Sequence, residues 1–401
     1  MMFRGKYKIQ MNGEVALEVK KKENGKERYF DYTLLTTVIF LACFGLVMLY
    51  SASSYSAQMD NQGGAYYLLR QLVFYGIGFA GMFFVAYVDY HYYAKLAKLA
   101  YFVSFGLMAL VLTPLGVEAN YARRWLRLPL GLTFQPSEFT KIAVIIFLAM
   151  LLCKERKKLN EKKTAWVIFF WGALSAAGVF ILTDNLSTAI IVLGIACILI
   201  FIAHPKTGIF VAIAAGVMVV VVAGVQILSA VLETSESFRL RRILVWLHPE
   251  DYLQDGGYQV MQGLYAIGSG GFFGKGLGNS AQKMMIPEAQ NDMILAVICE
   301  ELGIFGLIVL LTMFGILLYR LLWIARHAPD MYGSLIVAGV MAHVALQVVL
   351  NISVVLNLIP TTGITLPFVS YGGTSSIFLL VEMGMVLSVS NRITFDEPKE
   401  A

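Results

Sequence analysis

Ten apolar runs, set apart by short polar or Gly/Pro-bearing breaks, dominate the hydropathy pattern: 33–53, 71–88, 97–114, 137–153, 164–183, 187–203, 208–230, 291–319, 333–356 and 373–390. Each is near the ~20 residues that cross ~30 Å of hydrocarbon at ~1.5 Å per residue. Lipid offers nothing to an unpaired N–H or C=O, so such runs must be helices. The pattern predicts an all-α, polytopic integral membrane protein with about ten spans. Only Asp184-Asn185-Leu186 parts the fifth run from the sixth, which predicts a tight hairpin.

Composition agrees. The 401-residue chain is 58% hydrophobic and 14% charged, and its mean hydropathy is +0.71. A soluble domain of this length does not hide that much apolar surface. The four cysteines, Cys43, Cys153, Cys197 and Cys299, lie in or beside apolar runs. They form neither a disulfide framework nor a zinc spacing, and read as small buried hydrophobes.

The net charge of +5 matters less than where the charges fall. Eight Lys or Arg precede residue 29, six more lie in 154–163 (KERKKLNEKK), and Arg320 and Arg326 follow the eighth run. The positive-inside rule puts all of these, and both termini, in the cytoplasm. Residues 1–30 are then a cytoplasmic tail, 31–392 the membrane domain and 393–401 a second, solvated tail. Basic residues expected on the outer face cluster in two loops: Arg123, Arg124 and Arg127, then Arg239, Arg241, Arg242, Lys275 and Lys283. That grouping points to an anionic ligand outside, and no soluble basic face exists for nucleic acid. The second of these loops, 231–290, is the one large extracytoplasmic segment. Its apolar stretches and Trp246, Tyr252, Tyr258 and Tyr265 predict that it lies on or dips into the outer membrane surface.

Acids interrupt the pattern where lipid would want Leu. MMIPEAQNDMILAVICEELG, residues 284–303, carries Glu288, Asp292, Glu300 and Glu301 into the eighth run. An intramembrane carboxylate costs several kcal/mol unless paired or wet. On a continuous helix Glu300 would stand about 80° round from Asp292, with Glu301 nearly opposite it. Asp292, at the mouth, reads as functional; Glu300 and Glu301 read better as ties to Lys or Arg on neighbours. In TFQPSEFTK, residues 133–141, Pro136 and Ser137 suit a helix start. Glu138 and Lys141 are i,i+3 neighbours able to pair. A phosphate-facing site and a structural ion pair are both open there. GSGGFFGKGLGNS, residues 268–280, fails the spacing of a nucleotide phosphate loop and reads as a close-packed re-entrant loop with one useful lysine. The segment NLIPTTGITLPFVSYGGTSS, residues 357–376, is broken by Pro and Gly, a break tolerated only where it lines a cavity or is buried in protein. None of His91, His204, His248, His327 and His343 is placed for metal work.

Taken together FQPSEFTK, GYQVMQGLYAIGSGGFFGKGLGNSAQK, PEAQNDMILAVICEELG and LNLIPTTGITLPFVSYGGTSS resemble the SEDS family (shape, elongation, division and sporulation; FtsW, RodA and SpoVE) over residues 30–392. The wording PTTG and PEAQND resembles the division member FtsW, or its sporulation relative, more than the elongation member. The resemblance implies a peptidoglycan glycosyltransferase that polymerises lipid II beside a class B penicillin-binding protein, for septal wall synthesis with other division proteins. By the same resemblance Asp292 of Pro287-Glu288-x-x-x-Asp292 is the essential carboxylate. Gln135, Ser137, Glu138 and Lys141 belong to the substrate cavity, and Ser370 and Tyr371 to the Ser-Tyr-Gly-Gly element. Three departures stand out: Asn291 and Met293 flank the aspartate where Thr and Phe are common, Thr133 stands where a basic residue is frequent, and the acid of the 184–188 turn has moved one place.

The chemistry accounts for a single acid. A sugar hydroxyl is a poor nucleophile, so a positioned carboxylate base helps by roughly 10²–10⁴-fold. Pyrophosphate leaves readily once its charge is met, so cations suffice and no paired acid is needed. Asp292 is expected as base or metal anchor, with Lys141, Arg123, Arg124 and Lys275 toward the pyrophosphates. A divalent cation, Mg²⁺ or Mn²⁺, would bridge Asp292 and phosphate, although one carboxylate is a weak site by itself. No organic cofactor is expected. Two other readings stay open: a flippase for lipid II, which needs polar groups through the whole membrane, and a non-catalytic division scaffold.

Overall fold

Nine of the ten runs fold as helices in the computed structural model, which describes residues 29–59, 61–119, 122–127, 133–205 and 238–394 together with Gly208 and Gly216. Apart from those two glycines the seventh run lies outside the described residues, as do 1–28, 231–237 and 395–401. The nine are α1 (Tyr32–Met59), α2 (Tyr66–Tyr87), α3 (His91–Leu110), α4 (Pro136–Lys154), α5 (Lys162–Thr183), α6 (Leu186–Ala203), α9 (Ile294–His327), α10 (Met331–Val355) and α11 (Thr374–Ser390). Two shorter helices, α7 (Phe238–Leu247) and α8 (Gly257–Ser269), precede α9. Eight of the long helices have the length and hydropathy of membrane spans. At 17 residues α11 is apolar but shorter.

α4 is the centre. It packs against α3, α5, α6 and α10, and a helix covered on every side is apolar all round. Around it α2 runs against α11, α5 against α6, and α1 and α10 against α9. The hairpin expected between the fifth and sixth runs is there. Asp184 takes left-handed φ/ψ (48°, 34°) to end α5, and the Asn185 side chain caps α6 by accepting from Thr188 N at 3.0 Å.

Three expectations are corrected. The loop holding Arg123 and Arg124 is partly a small antiparallel sheet, β1 (Gly116–Ala119), β2 (Ala122–Arg127) and β3 (Thr133–Phe134), in that order. Its strands are too short, and too irregular at the bulge between Val117 and Glu118, to leave an alternating signature. Arg320 and Arg326 belong to α9, which runs to His327, rather than to a loop. Nor is the eighth run one helix from 291. It starts at Ile294, so Asp292 lies outside it and the helical angles expected from Asp292 to the glutamates do not apply.

α9 is also broken, at Gly303 (φ 68°, ψ −163°). The Gly-rich run fills the break. Lys275 N and Gly276 N donate to the Glu300 and Glu301 carbonyls, each at 2.9 Å, while Ile304 N and Phe305 N donate to the Gly271 and Phe272 carbonyls, each at 3.0 Å. Two of the free backbone groups at each half-helix end are thereby paired. The approach needs glycine on both sides: a Cβ at Gly274 would lie 2.2 Å from the Glu301 carbonyl oxygen, and one at Gly303 2.4 Å from Gly274 N.

Candidate active site

The broken helix explains its acids. Glu300, fully buried, pairs with Lys275 Nζ at 2.6 Å, accepts from the amides of Ala281 and Gln282, each at 3.2 Å, and is also bonded by the Ser280 hydroxyl. Glu301, equally buried, pairs with Lys283 Nζ at 3.1 Å and accepts from Ser51 Oγ of α1 at 2.6 Å. Both glutamates therefore tie down the 275–283 segment. Their cations come from that segment rather than from neighbouring helices, and Lys275, expected near pyrophosphate, spends its charge on Glu300.

The segment they fix leads straight to Asp292. Glu288 sits at φ 49°, a left-handed conformation uncommon for a side chain larger than Asn. Asn291 closes the turn by donating its amide N to the Glu288 carbonyl at 2.9 Å and its side-chain Nδ2 to Glu288 Oε2 at 2.8 Å. Two residues before α9, Asp292 is partly exposed, and its carbonyl accepts from Asn351 Nδ2 of α10 at 2.8 Å. Its Oδ1 lies 3.4 Å from Gln259 Nε2 of α8. Gly363 lies beside the carboxylate, where a Cβ would be in ordinary contact with Oδ2 at 3.9 Å; what favours glycine there is its φ of 70°. Burial pushes this carboxyl up to about 6; Glu288 also raises it, and Arg242 and Gln259 pull it down.

The segment 357–376, expected to be buried in protein or to line a cavity, does both. Leu366, Phe368 and Val369 are buried, and Tyr371 lines a cavity with Glu288. Ser370 Oγ accepts from Leu366 N at 2.8 Å, which makes it a turn former. Tyr371 N donates to the Gln290 carbonyl at 2.9 Å, joining this segment to the one that bears Asp292. Trp246 and Asn357 bond reciprocally, Nε1 to carbonyl at 3.0 Å and Nδ2 to carbonyl at 3.2 Å, so α7 rests on the end of α10.

At the head of α4 Glu138 Oε1 and Lys141 Nζ pair at 2.9 Å, nearly fully buried. Ser137 beside them is buried with no hydrogen-bond partner for its Oγ among the described residues. Gln135 occupies the N-cap position without a side-chain cap bond. Arg124 donates to the Asp184 carbonyl at 3.0 Å and so ties the sheet to the α5–α6 turn; Arg123 pairs with Glu118 at 3.3 Å, half-exposed.

Two residues around Asp292 escape the sequence reading, Gln259 and Asn351. Arg242, one of the basic cluster expected to face an anion, donates to the Thr361 carbonyl at 3.2 Å. Asn351 carries the plainer signal, an amide in an apolar helix, where it must find buried partners. Among the described residues no group of three or more His, Cys, Asp and Glu is arranged to hold a metal ion.

The family model of the cell cycle proteins FtsW, RodA and SpoVE matches residues 32–394. Stage V sporulation protein E of Bacillus subtilis (strain 168) is 38% identical over 364 residues, 90% of this chain and 96% of that one. A probable peptidoglycan glycosyltransferase FtsW of Geobacter sp. (strain M18) is 38% identical over 370 residues, 91% of this chain and 97% of its own. Among solved structures, a chain of a peptidoglycan synthase complex that coordinates polymerization and crosslinking superposes with TM-score 0.72 at 29% identity, covering 92% of this chain and 99% of that one. The rod shape determining protein RodA of Thermus thermophilus does so with TM-score 0.64 at 26% identity, covering 92% and 98%. A family model spanning the membrane domain and relatives matched nearly end to end lead to one assignment: the chain is a multi-pass membrane protein of the FtsW/RodA/SpoVE family of cell cycle proteins.

Proposed function

We propose that this chain is a peptidoglycan glycosyltransferase of the bacterial plasma membrane that polymerises lipid II, the undecaprenyl-pyrophosphate-linked disaccharide peptide, on the extracytoplasmic face. Both termini are cytoplasmic, and the division septum is where it works, beside a class B penicillin-binding protein and other division proteins. The names of its relatives and the synthase complex it resembles support the activity and the partner. The observation that carries the mechanism is Asp292, anchored through its carbonyl and raised to about 6.

A base of that kind is ionised at neutral pH yet takes a proton readily. The 4-hydroxyl of one lipid-linked sugar attacks C1 of another. As the new O–C1 bond forms, the C1–O bond to pyrophosphate breaks, and the hydroxyl proton passes to Asp292. The leaving pyrophosphate carries the developing negative charge, which Arg242, whose charge already acts on Asp292, is the candidate to meet. Were a divalent cation bound, Asp292 with substrate phosphates would hold it, since magnesium keeps most of its waters and takes only one or two carboxylates; it would supply further charge neutralisation. Gln259 orients the carboxylate.

The test is polymer formation from lipid II by the purified chain and its class B partner, with Mg²⁺ or Mn²⁺, read on a gel for wild type and Asp292→Asn. Long strands from wild type and none from the variant are expected. Equal polymer from both would remove Asp292 from the chemistry. Lipid II crossing a bilayer with no polymer from either would favour a flippase.

A further inference from the structure

His343 and Glu382 form a buried pair that the mechanism does not use. They sit halfway along α10 and α11, with Nδ1 and Oε2 2.7 Å apart and each side chain only 1% exposed. Ionisable groups at such a depth are costly, and they mark a function unless every polar atom is met. Here two are not met: among the described residues His343 Nε2 and Glu382 Oε1 have no hydrogen-bond partner.

The register of α10 on α4 shows what those atoms face. α3 and α4 pack as a hairpin closed by the small sheet, and α10 begins at the opposite end, where Asp330 Oδ2 lies 2.8 Å from His91 Nε2 at the head of α3. α4 and α10 are therefore antiparallel. They touch where a Cβ on Gly339 would come 2.7 Å from the Ile145 side chain. One turn farther out on each helix, Lys141 stands level with His343, and one more turn sets Ser137 level with Gln347. The next turn of α10 brings Asn351, which reaches the Asp292 carbonyl. His343, Gln347 and Asn351 thus form one polar stripe.

The stripe carries leftover polar atoms along its length. Ser137 Oγ, Gln347 Oε1 and Asn351 Oδ1 join those of His343 and Glu382 as buried atoms without a partner among the described residues. The amide nitrogens, by contrast, are engaged: Gln347 Nε2 donates to the Thr365 carbonyl at 3.0 Å, and Asn351 Nδ2 serves two carbonyls. Buried polar atoms are almost always bonded, so this row points to a ligand. A sugar or a lipid chain does not fit between helices in direct contact, and the Lys141 ammonium on the same face of α4 opposes a metal cation. Water fits, because it donates and accepts, and a buried molecule makes about three such bonds.

We propose that the α4/α10 seam binds a file of ordered water running from the His343–Glu382 pair to Asn351, and that this file holds the polar stripe of α10 in place beneath Asp292. Gln347, in the middle of the stripe, is then a positioning residue that acts through Asn351. The hydration stands on the geometry alone; its effect on turnover rests on the polymerase reading.

Radiolytic hydroxyl-radical labelling of the full chain in detergent, read residue by residue by mass spectrometry, tests the hydration, because radicals made from bound water oxidise the side chains beside it. His343 should label several-fold above Met108, an intrinsically more reactive side chain as deeply buried in the apolar core. Gln347→Leu, which removes the middle of the stripe, should cut the His343 label several-fold. With the class B partner it should also lower kcat for lipid II several-fold at an unchanged KM. Gln347→Asn, which keeps an amide, should restore both. If wild type polymerises and His343 labels no more than Met108, the water file is refuted and the polymerase reading survives. If His343 labels as expected and wild type makes no polymer, the polymerase reading fails and the water file stands. A Gln347→Leu variant that loses rate yet keeps the full His343 label would overturn the positioning role given to the water.

Discussion

Asn351 Nδ2 donates to two carbonyl oxygens at once, that of Asp292 at 2.8 Å and that of Ile364 at 2.7 Å. One amide on α10 thus pins together Asp292, two residues before α9, and the broken segment that carries Gly363. Asn351→Leu keeps the bulk and strands both carbonyls, each worth about 1–3 kcal/mol when buried and unpaired. Loss of polymerisation by at least tenfold and a lower melting temperature are expected. Asn351→Asp offers no such donor when ionised and should fare no better. A leucine variant with wild-type rate would show that Asp292 needs no anchor.

The raised carboxyl of Asp292 fixes the pH dependence. As a base it must be ionised, so the rate climbs with pH through about 6 and is lost below it. Stability runs the other way. A carboxyl whose folded value lies above its unfolded value favours the folded state below the unfolded value, near 3.8, and that contribution is lost as pH rises through about 6. At neutral pH the ionised group therefore costs on the order of 3 kcal/mol. Asp292→Asn should then be inactive and melt no lower than wild type at pH 7.5, the two converging near pH 4. A variant that melts well below wild type at pH 7.5 would contradict this.

The break in α9 has its own signature. Gly303 holds φ 68°, and a Cβ there would meet Gly274 N at 2.4 Å. Gly303→Ala should destabilise by more than the ~1 kcal/mol that an unfavourable φ alone costs, because the Gly-rich loop must retreat as well. Gly315, farther along the same helix, has open space at its Cβ position. Gly315→Ala should raise stability slightly through helix propensity. Thermal unfolding in detergent, with the two variants side by side, reads both. Equal behaviour would mean that the break tolerates a side chain.

Much of this was legible before any coordinates. The helices follow from hydropathy because lipid leaves the backbone no alternative, and Pro136 marks a helix start because its missing N–H costs nothing there. The Gly-rich run is close-packed as its composition implies, since a Cβ at Gly270 or Gly274 would collide with the Cys299 or Glu301 carbonyl. Gln259 and Asn351 stayed hidden, because their roles depend on which helices meet. Periodicity does not encode that. The helical angles drawn from Asp292 missed for a related reason: the Glu288 to Met293 turns unwind the chain just where the apolar run begins, and no composition change marks the spot.

Lys283 and Glu301 supply the last test. They pair at 3.1 Å with both side chains almost wholly buried, and Ser51 bonds to each. Removing one member of such a pair leaves an uncompensated charge and costs about 3–5 kcal/mol, whereas removing both costs far less. Lys283→Met alone and Glu301→Gln alone should therefore each unfold the 275–283 segment and depress activity. The double variant should recover much of the melting temperature, with a coupling energy of about 1–3 kcal/mol across the cycle. A pair that serves as a tie predicts that the double variant recovers rate along with stability. A double variant that regains the melting temperature but makes no polymer would contradict it.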